Sequence, residues 1–241
     1  VFVGRGTRAV EFFEHAEKTY EAVLRLGITT DTEDITGTVL QQQDAQVSKE
    51  EFLRVLEQFR GEIQQIPPMY SALKINGQKL CDLARRGKEV ERKPRTVTIH
   101  RLECLAFDGV SARLRVACSK GTYIRTLCKD IGEALGCGGC MESLRRVTAG
   151  AYTIEEAIPL QTLVDAVDPE SYLRPVDSMF LHHPAVTLTA KQEIRCRNGN
   201  SFSIDLPEGT YRAYGENGAF LMLAKVESGI MSTIKSFFEV D

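Results

Sequence analysis

The chain has 241 residues, of which 43% are hydrophobic and 26% charged, and its formal net charge is −3. This composition is typical of a globular protein and excludes a disordered or collagen-like chain. No apolar run approaches the roughly 18 residues that span a bilayer, and no secretory leader pattern opens the sequence. We therefore expect a cytoplasmic protein.

The first elements alternate between helix and strand. The chain opens on Val1-Phe-Val-Gly4, an apolar run with no initiator methionine and no preceding cap, so we expect a further segment upstream. Residues 7–15 have a helical pattern. From Tyr20 to Leu26 apolar and polar residues alternate, which predicts a half-buried strand that Tyr20 opens.

A polar turn and a capped helix follow. The carboxylates of Thr30-Asp-Thr-Glu-Asp-Ile-Thr-Gly37 lack the spacing of a calcium loop, so we predict a solvated or hydrogen-bonded turn before a short strand at residues 38–41. Ser48-Lys-Glu-Glu51 is a capping box, and Gly61 ends the predicted helix. The apolar stripe of that helix is formed by Phe52, Leu53, Leu56 and Phe59.

The remaining elements favour an α+β fold. Prolines predict an ordered loop at residues 66–70, and a short helix is predicted at residues 80–87. Apolar patterns predict strands at residues 97–107 and 112–118 and a helix from Ile124 to Gly136. This irregular alternation favours a mixed, largely antiparallel sheet flanked by helices. Beyond Pro175 short strands predict a small β-rich domain, including one over residues 234–240, and we divide the chain into residues 1–180 and 181–241.

Charge is segregated along the chain. Residues 70–146 contain 16 Lys and Arg against 8 Asp and Glu, a net +8, so the remainder carries a net −11. A basic segment attracts a polyanion through counterion release, which indicates a nucleic-acid partner. A solvated basic face explains the charge alone equally well.

Metal and nucleophile motifs are weak. Cys137-Gly-Gly-Cys140 has the spacing of half a zinc site, but no second pair follows, so we predict a turn and no metal. The seven cysteines form no disulfide framework and are expected to be reduced and mostly buried. None of the four histidines has triad spacing.

One motif has a specific counterpart. Ser119-Lys-Gly-Thr-Tyr-Ile-Arg-Thr126, with Asp130-Ile-Gly132 and Leu144-Arg-Arg146, resembles the TruB family of tRNA pseudouridine synthases. Thr30-Asp-Thr-Glu-Asp34 and Gln65-Ile-Pro-Pro-Met-Tyr-Ser-Ala-Leu-Lys74 fall in that family's order. The match covers residues 1–165, and from His183 onward the chain resembles the family's small PUA-like RNA-binding domain.

The resemblance implies a fold and a reaction. It implies a pseudouridine synthase fold over residues 1–180, a PUA-like domain over 181–241, and isomerisation of uridine 55 in the TΨC arm of tRNA. No cofactor or metal is implied, and we expect a monomer. The target base has to leave its stack, which costs a few kcal/mol that aromatic packing and phosphate contacts offset.

The resemblance also assigns two catalytic side chains. Tyr20 matches a tyrosine that stacks on the flipped base and assists proton transfer, although a core tyrosine on a strand is the alternative. Arg145 matches an arginine that would pair with the catalytic aspartate through a charge-assisted contact. Arg146 is interpreted as structural or phosphate-facing.

Four further residues are implied in substrate binding. Lys120 and Arg125 would place the backbone and contact RNA phosphates, with structural salt bridges as the alternative. Ser143 stands where some family members have a second tyrosine. Leu163 is our choice for a leucine of the uridine pocket, and Leu160 is the alternative.

The family's nucleophile is the main departure. The Gly-His-x-Gly-Thr-Leu-Asp-Pro motif that precedes the Gly4 region in the family is absent from these residues, and none of Asp31, Asp34 or Asp130 occupies its place. We expect the aspartate upstream of residue 1, so that the chain alone is inactive. The alternatives are a non-catalytic tRNA-binding or folding chaperone and a guide-dependent H/ACA-type relative.

Overall fold

A computed structural model describes residues 1–14 and 16–238. Contacts divide the chain into two compact units. One unit is His15–Ala157, and the other consists of Val1–Glu14 together with Ile158–Asp241. Phe180 packs with Leu223 and Phe237 in a small core of the second unit, so contacts place residues 158–180 with the C-terminal strands. The split at 180/181 into a catalytic and an RNA-binding domain is a functional division and stays a prediction.

The elements of the described residues follow in chain order. The α-helices are α1 (Val10–Glu14), α2 (Lys49–Glu57), α3 (Leu80–Ala84), α4 (Ile124–Ala134), α5 (Leu160–Val164) and α6 (Ala190–Arg197). The strands are β1 (Lys18–Leu26), β2 (Ile28–Thr30), β3 (Val39–Gln42), β4 (Gly61–Gln65), β5 (Lys74–Ile75), β6 (Gln78–Lys79), β7 (Arg95–Phe107), β8 (Ser111–Cys118), β9 (Gly139–Ala149), β10 (Tyr152–Thr153), β11 (Ala185–Thr187), β12 (Phe202–Ser203), β13 (Gly209–Tyr214), β14 (Phe220–Glu227) and β15 (Ile230–Ser236). Short 3₁₀ segments lie at Gly4–Ala9, Ile154–Glu156, Pro169–Tyr172 and Val176–Phe180.

A six-stranded sheet organises the larger unit. Its order is β10-β9-β1-β8-β7-β4, and every neighbouring pair is antiparallel, which confirms the predicted sheet type. Strand β1 is central, since it pairs with β8 on one side and β9 on the other. The tyrosine at its start therefore has neighbours on both sides.

Alternation along β1 and β8 puts one face of the sheet against α2 and α4. Ala22, Leu24 and Leu26 are at most 1% exposed, and they join one core with the apolar residues of both helices. Because successive strand residues point to opposite faces, the intervening polar residues lie on the other face. Residues of the candidate site lie on both faces of this sheet.

Helix α2 begins as predicted but buries a different stripe. The Ser48 side chain accepts a hydrogen bond from Glu51 N, which caps the helix. Phe52 and Leu56 are buried as expected, whereas Leu53 is 40% exposed and Val55 is buried in its place. The prediction for Leu53 was wrong. Successive helix residues are rotated by 100° around the axis, so Val55 lies on the buried side with Phe52 and Leu56, and Leu53 lies off that side.

Helix α4 lies very close to β9. A Cβ atom added at Gly132 would come within 2.3 Å of Gly139 N, so only glycine permits this approach. Gly136, at φ +74°, follows the helix in the left-handed conformation that ends many helices. The predicted end of α4 at this glycine is confirmed.

The C-terminal strands form a second sheet, in the order β11-β13-β14-β15-β12. All neighbours are antiparallel except β11 and β13, which are parallel. The last strand of the described residues, β15, begins and ends four residues earlier than the strand predicted at residues 234–240. Residues 239–240 of that prediction lie outside the described part of the chain. Within the described residues, no helix is long and apolar enough to cross a membrane.

Candidate active site

Tyr20 and Arg146 lie opposite each other on neighbouring strands. The register of β1 and β9 pairs Tyr20 with Arg146, after an irregularity between Thr19 and Tyr20 that skips one residue of β9. On its other side Tyr20 faces Val116 of β8. Tyr20 is half-buried and packs against the main core, on the same face of β1 as Ala22.

The surroundings of the Tyr20 phenol favour its neutral form. Burial raises the pKa of Tyr20 above its usual value, and the neighbouring Cys118 thiol adds to this shift. The positive charge of Arg146 and its hydrogen bond to the phenol act in the opposite direction. At neutral pH the ring is an uncharged surface with a hydroxyl group and a cation beside it.

Arg145 and Ser143 lie on the other face of the sheet. The register pairs Arg145 with Glu21 and Ser143 with Val23, both one position out of phase with Tyr20. The structure therefore does not bring Arg145 or Ser143 beside the tyrosine. The roles implied for Arg145 and Ser143 stay predictions, and the residue that faces Tyr20 is Arg146, which the sequence alone suggested to be structural or phosphate-facing.

A ladder of alternating charges accounts for the position of Arg145. Glu103 faces Arg115, Arg115 faces Glu21, and Glu21 faces Arg145 across strands β7, β8, β1 and β9. Arg115 Nη2 lies 2.6 Å from Glu21 Oε1. Opposite charges directly across a strand pair stabilise a sheet modestly, so this arrangement supports a structural role for Arg145.

The motif that begins at Ser119 forms the connection from β8 to α4. The Ser119 hydroxyl accepts a hydrogen bond from Thr98 N at 2.9 Å, which fixes the end of β8. Gln65, only 1% exposed, accepts from Tyr123 N at 3.0 Å and donates to Tyr123 O at 3.3 Å. Gln65 thus holds Tyr123, the residue that precedes α4, and Lys120 lies exposed in the turn between β8 and α4.

Arg125 joins two loops to the first turn of α4. Its guanidinium donates to Tyr70 O at 2.8 Å and to Thr32 O at 3.4 Å. Both acceptors are backbone carbonyls, and the side chain is half-buried. Arg125 therefore bonds to the backbone of two loops, and its implied contact with RNA phosphate stays a prediction.

Leu163 lies on α5, in the second compact unit. It is half-buried there, whereas Leu160, the alternative, is 76% exposed. Either leucine as part of a uridine pocket stays a prediction.

The described cysteines are all free, and five of the seven are buried. The Cys137 Sγ atom lies 3.9 Å from Gly132 O, within the turn that joins α4 to β9. Among residues 1–14 and 16–238, no group of three or more His, Cys, Asp or Glu side chains has an arrangement that could hold a metal ion.

The class of fold follows from comparison with solved structures. A chain in the crystal structure of a Cbf5–Nop10–Gar1 complex is similar to this chain with a TM-score of 0.68 and 23% identity, over 98% of this chain and 71% of that one. A chain in the structure of an H/ACA RNP bound to a substrate RNA containing 2′-deoxyuridine has a TM-score of 0.67 and 20% identity, with the same coverage. These likenesses establish the fold.

The family follows from the sequence. The model of the TruB family pseudouridylate synthase N-terminal domain matches residues 1–124, and that of the tRNA pseudouridylate synthase B C-terminal domain matches residues 125–180. The tRNA pseudouridine synthase B of Stutzerimonas stutzeri is 43% identical over 92% of this chain and 76% of its own length. That of Clostridium kluyveri is 37% identical over 98% of this chain and 84% of its own. The chain belongs to the TruB family of pseudouridine synthases.

Proposed function

We propose that this chain is the RNA-modifying body of an enzyme that isomerises uridine to pseudouridine at position 55 in the TΨC arm of tRNA. The observation that carries the proposal is the Tyr20–Arg146 pair, a half-buried aromatic ring with a cation beside it on neighbouring strands of the sheet. A base that has left its stack can lie on such a ring, and the neighbouring cation attracts the RNA backbone.

The proposed reaction exchanges one bond for another. An aspartate, expected upstream of Val1, bonds through its carboxylate to C1′ of the nucleoside as the bond between C1′ and N1 breaks. The base turns and C5 bonds to C1′ as the bond between C1′ and the aspartate breaks, after which C5 loses its proton and N1 gains one. We assign assistance in this proton transfer to the neutral phenol of Tyr20, and we expect the reaction to use no cofactor.

Exposed basic residues give the tRNA a surface to bind. Five of them lie within one stretch of the larger unit, namely Arg85, Arg86, Lys88, Lys93 and Arg95. Such a cluster attracts phosphates although the chain as a whole has a net charge of −3. We assign residues 1–180 to catalysis and 181–241 to a PUA-like RNA-binding domain, and we expect a monomer that acts on tRNA in the cytoplasm.

The test uses the full-length protein and unmodified tRNA labelled with tritium at C5 of its uridines. Each pseudouridine formed releases one tritium, so the proposal predicts release of close to one equivalent per tRNA without any added guide RNA. Binding without release would contradict the enzyme and favour a tRNA-binding chaperone. Release only when a guide RNA is added would favour an H/ACA-type relative.

A further inference from the structure

Glu33 has a backbone conformation that side chains disfavour. It lies in the polar turn between β2 and β3 at φ +61°, in the left-handed region. For a residue other than glycine this conformation costs on the order of 1 kcal/mol, and it persists only where neighbouring contacts hold it. Such outliers are concentrated at functional sites, which makes the contacts of Glu33 informative.

Three contacts join Glu33 to α4 and β9. Its Oε2 accepts a hydrogen bond of 2.6 Å from the hydroxyl of Thr126, which is 0% exposed. Its Oε1 lies 3.8 Å from Lys129 Nζ, and its own side chain is only 11% exposed. Its backbone carbonyl accepts from Met141 N at 3.0 Å.

These contacts connect two elements of the candidate site. Thr126 and Lys129 lie on α4, and Thr126 follows Arg125 directly. Met141 lies on β9, the strand that places Arg146 opposite Tyr20. The turn thus bonds to the helix through the Glu33 side chain and to the strand through the Glu33 backbone.

We propose that Glu33 is a positioning residue for pseudouridine formation. The Glu33–Thr126 bond fixes the turn against the first turn of α4, where Arg125 already reaches Thr32 O. It thereby sets Arg125 and the start of α4 relative to the Tyr20–Arg146 pair on β1 and β9. The inference rests on the proposed function, because its kinetic consequence requires that reaction.

The first test compares Thr126→Val with Thr126→Ser in the full-length protein. Valine has the shape of threonine without the hydroxyl, whereas serine keeps the hydroxyl. Losing a hydrogen bond to a charged acceptor corresponds to about a tenfold change, so we expect kcat to fall about tenfold in Thr126→Val with KM for tRNA unchanged. Thr126→Ser restores kcat. Thr96→Val, which removes the acceptor of an exposed 2.7 Å bond from Gln64, is the matched control and leaves kcat unchanged.

Glu33→Gly separates positioning from stability. Glycine adopts φ +61° without strain, which offsets the stability lost with the Thr126 bond, so the thermal midpoint stays close to that of the wild type. Because the link to α4 is gone, kcat still falls about tenfold. A fall in kcat only in proportion to a fall in folded protein would overturn the proposal.

Hydrogen–deuterium exchange tests the link without the reaction. Thr126→Val and Glu33→Gly should speed exchange in residues 30–37 and in the first turn of α4, while Thr126→Ser and Thr96→Val should not. Unchanged exchange in the first two variants would overturn the positioning role. If exchange changes as expected but the wild type releases no tritium, the proposed function fails and the role of Glu33 in that reaction fails with it. If the wild type is active and Thr126→Val keeps full kcat, the positioning role alone fails.

Discussion

Replacing Arg146 by glutamine removes the cation beside Tyr20. Arg146 interacts with the Tyr20 phenol across β1 and β9 by charge and by a hydrogen bond. Hydrogen bonds to charged groups contribute about 1.5–3 kcal/mol, and the lower end applies because Arg146 is exposed to solvent. If this contact acts in the transition state, about 1.5 kcal/mol corresponds to a loss of roughly tenfold in kcat.

The same change has a spectroscopic consequence. Arg146 favours the ionised phenol, so without it the pKa of Tyr20 moves further above its usual range. Titration of tyrosine absorbance in the wild type and in Arg146→Gln, with Tyr20→Phe in each background, isolates the signal of Tyr20. Kinetics on unmodified tRNA give kcat and KM for the same proteins.

Arg145→Gln is the matched comparison on the other face of the sheet. Arg145 faces Glu21, which keeps its 2.6 Å contact with Arg115 in this variant, so a structural role for Arg145 predicts little change in kcat and none in the titration of Tyr20, whereas the catalytic role implied by the family predicts a large loss of kcat. A larger loss of kcat in Arg145→Gln than in Arg146→Gln would refute this reasoning. It would favour the role that the family resemblance gives to Arg145.

Two further predictions concern stability. Leu114→Ala, at a position 0% exposed in the main core, should lower the free energy of unfolding by about 3 kcal/mol in urea titrations, and a loss below 1 kcal/mol would mean that the site is not packed as described. Asp130→Asn should stabilise the protein at pH 7.5. Burial raises the pKa of Asp130 to about 6, although the neighbouring Lys129 opposes the shift. Folding therefore favours the protonated acid, and the wild type loses stability as the pH rises from about 4 through 6. The difference between variant and wild type should therefore shrink toward pH 4, and a constant difference would contradict this cause.

Local signals predicted most elements of the larger unit. Alternation from Tyr20 to Leu26 predicted β1, Ser48 predicted the start of α2, and Gly136 predicted the end of α4. Each of these signals acts within a few residues, through side-chain period, capping or backbone conformation. The elements that these local signals predict are therefore present in the folded chain.

The arrangement of the site depends on contacts that local patterns do not encode. Whether Arg145 or Arg146 faces Tyr20 is set by irregularities in the register of β1 and β9, and a shift of one residue moves a side chain to the other face. Gln65 holds Tyr123 from 58 residues away. The packing of Phe180 with Phe237 likewise joins residues far apart in sequence.

Mapping pseudouridine at single-nucleotide resolution shows whether this protein modifies uridine 55 of tRNA. The full-length protein would be incubated with an unmodified tRNA transcript, treated with a carbodiimide that marks pseudouridine, and read by primer extension. We expect one new stop, reporting position 55 in the TΨC loop, and its loss when Tyr20 is replaced by alanine. No stop at any uridine, or an equal stop with Tyr20→Ala, would contradict it.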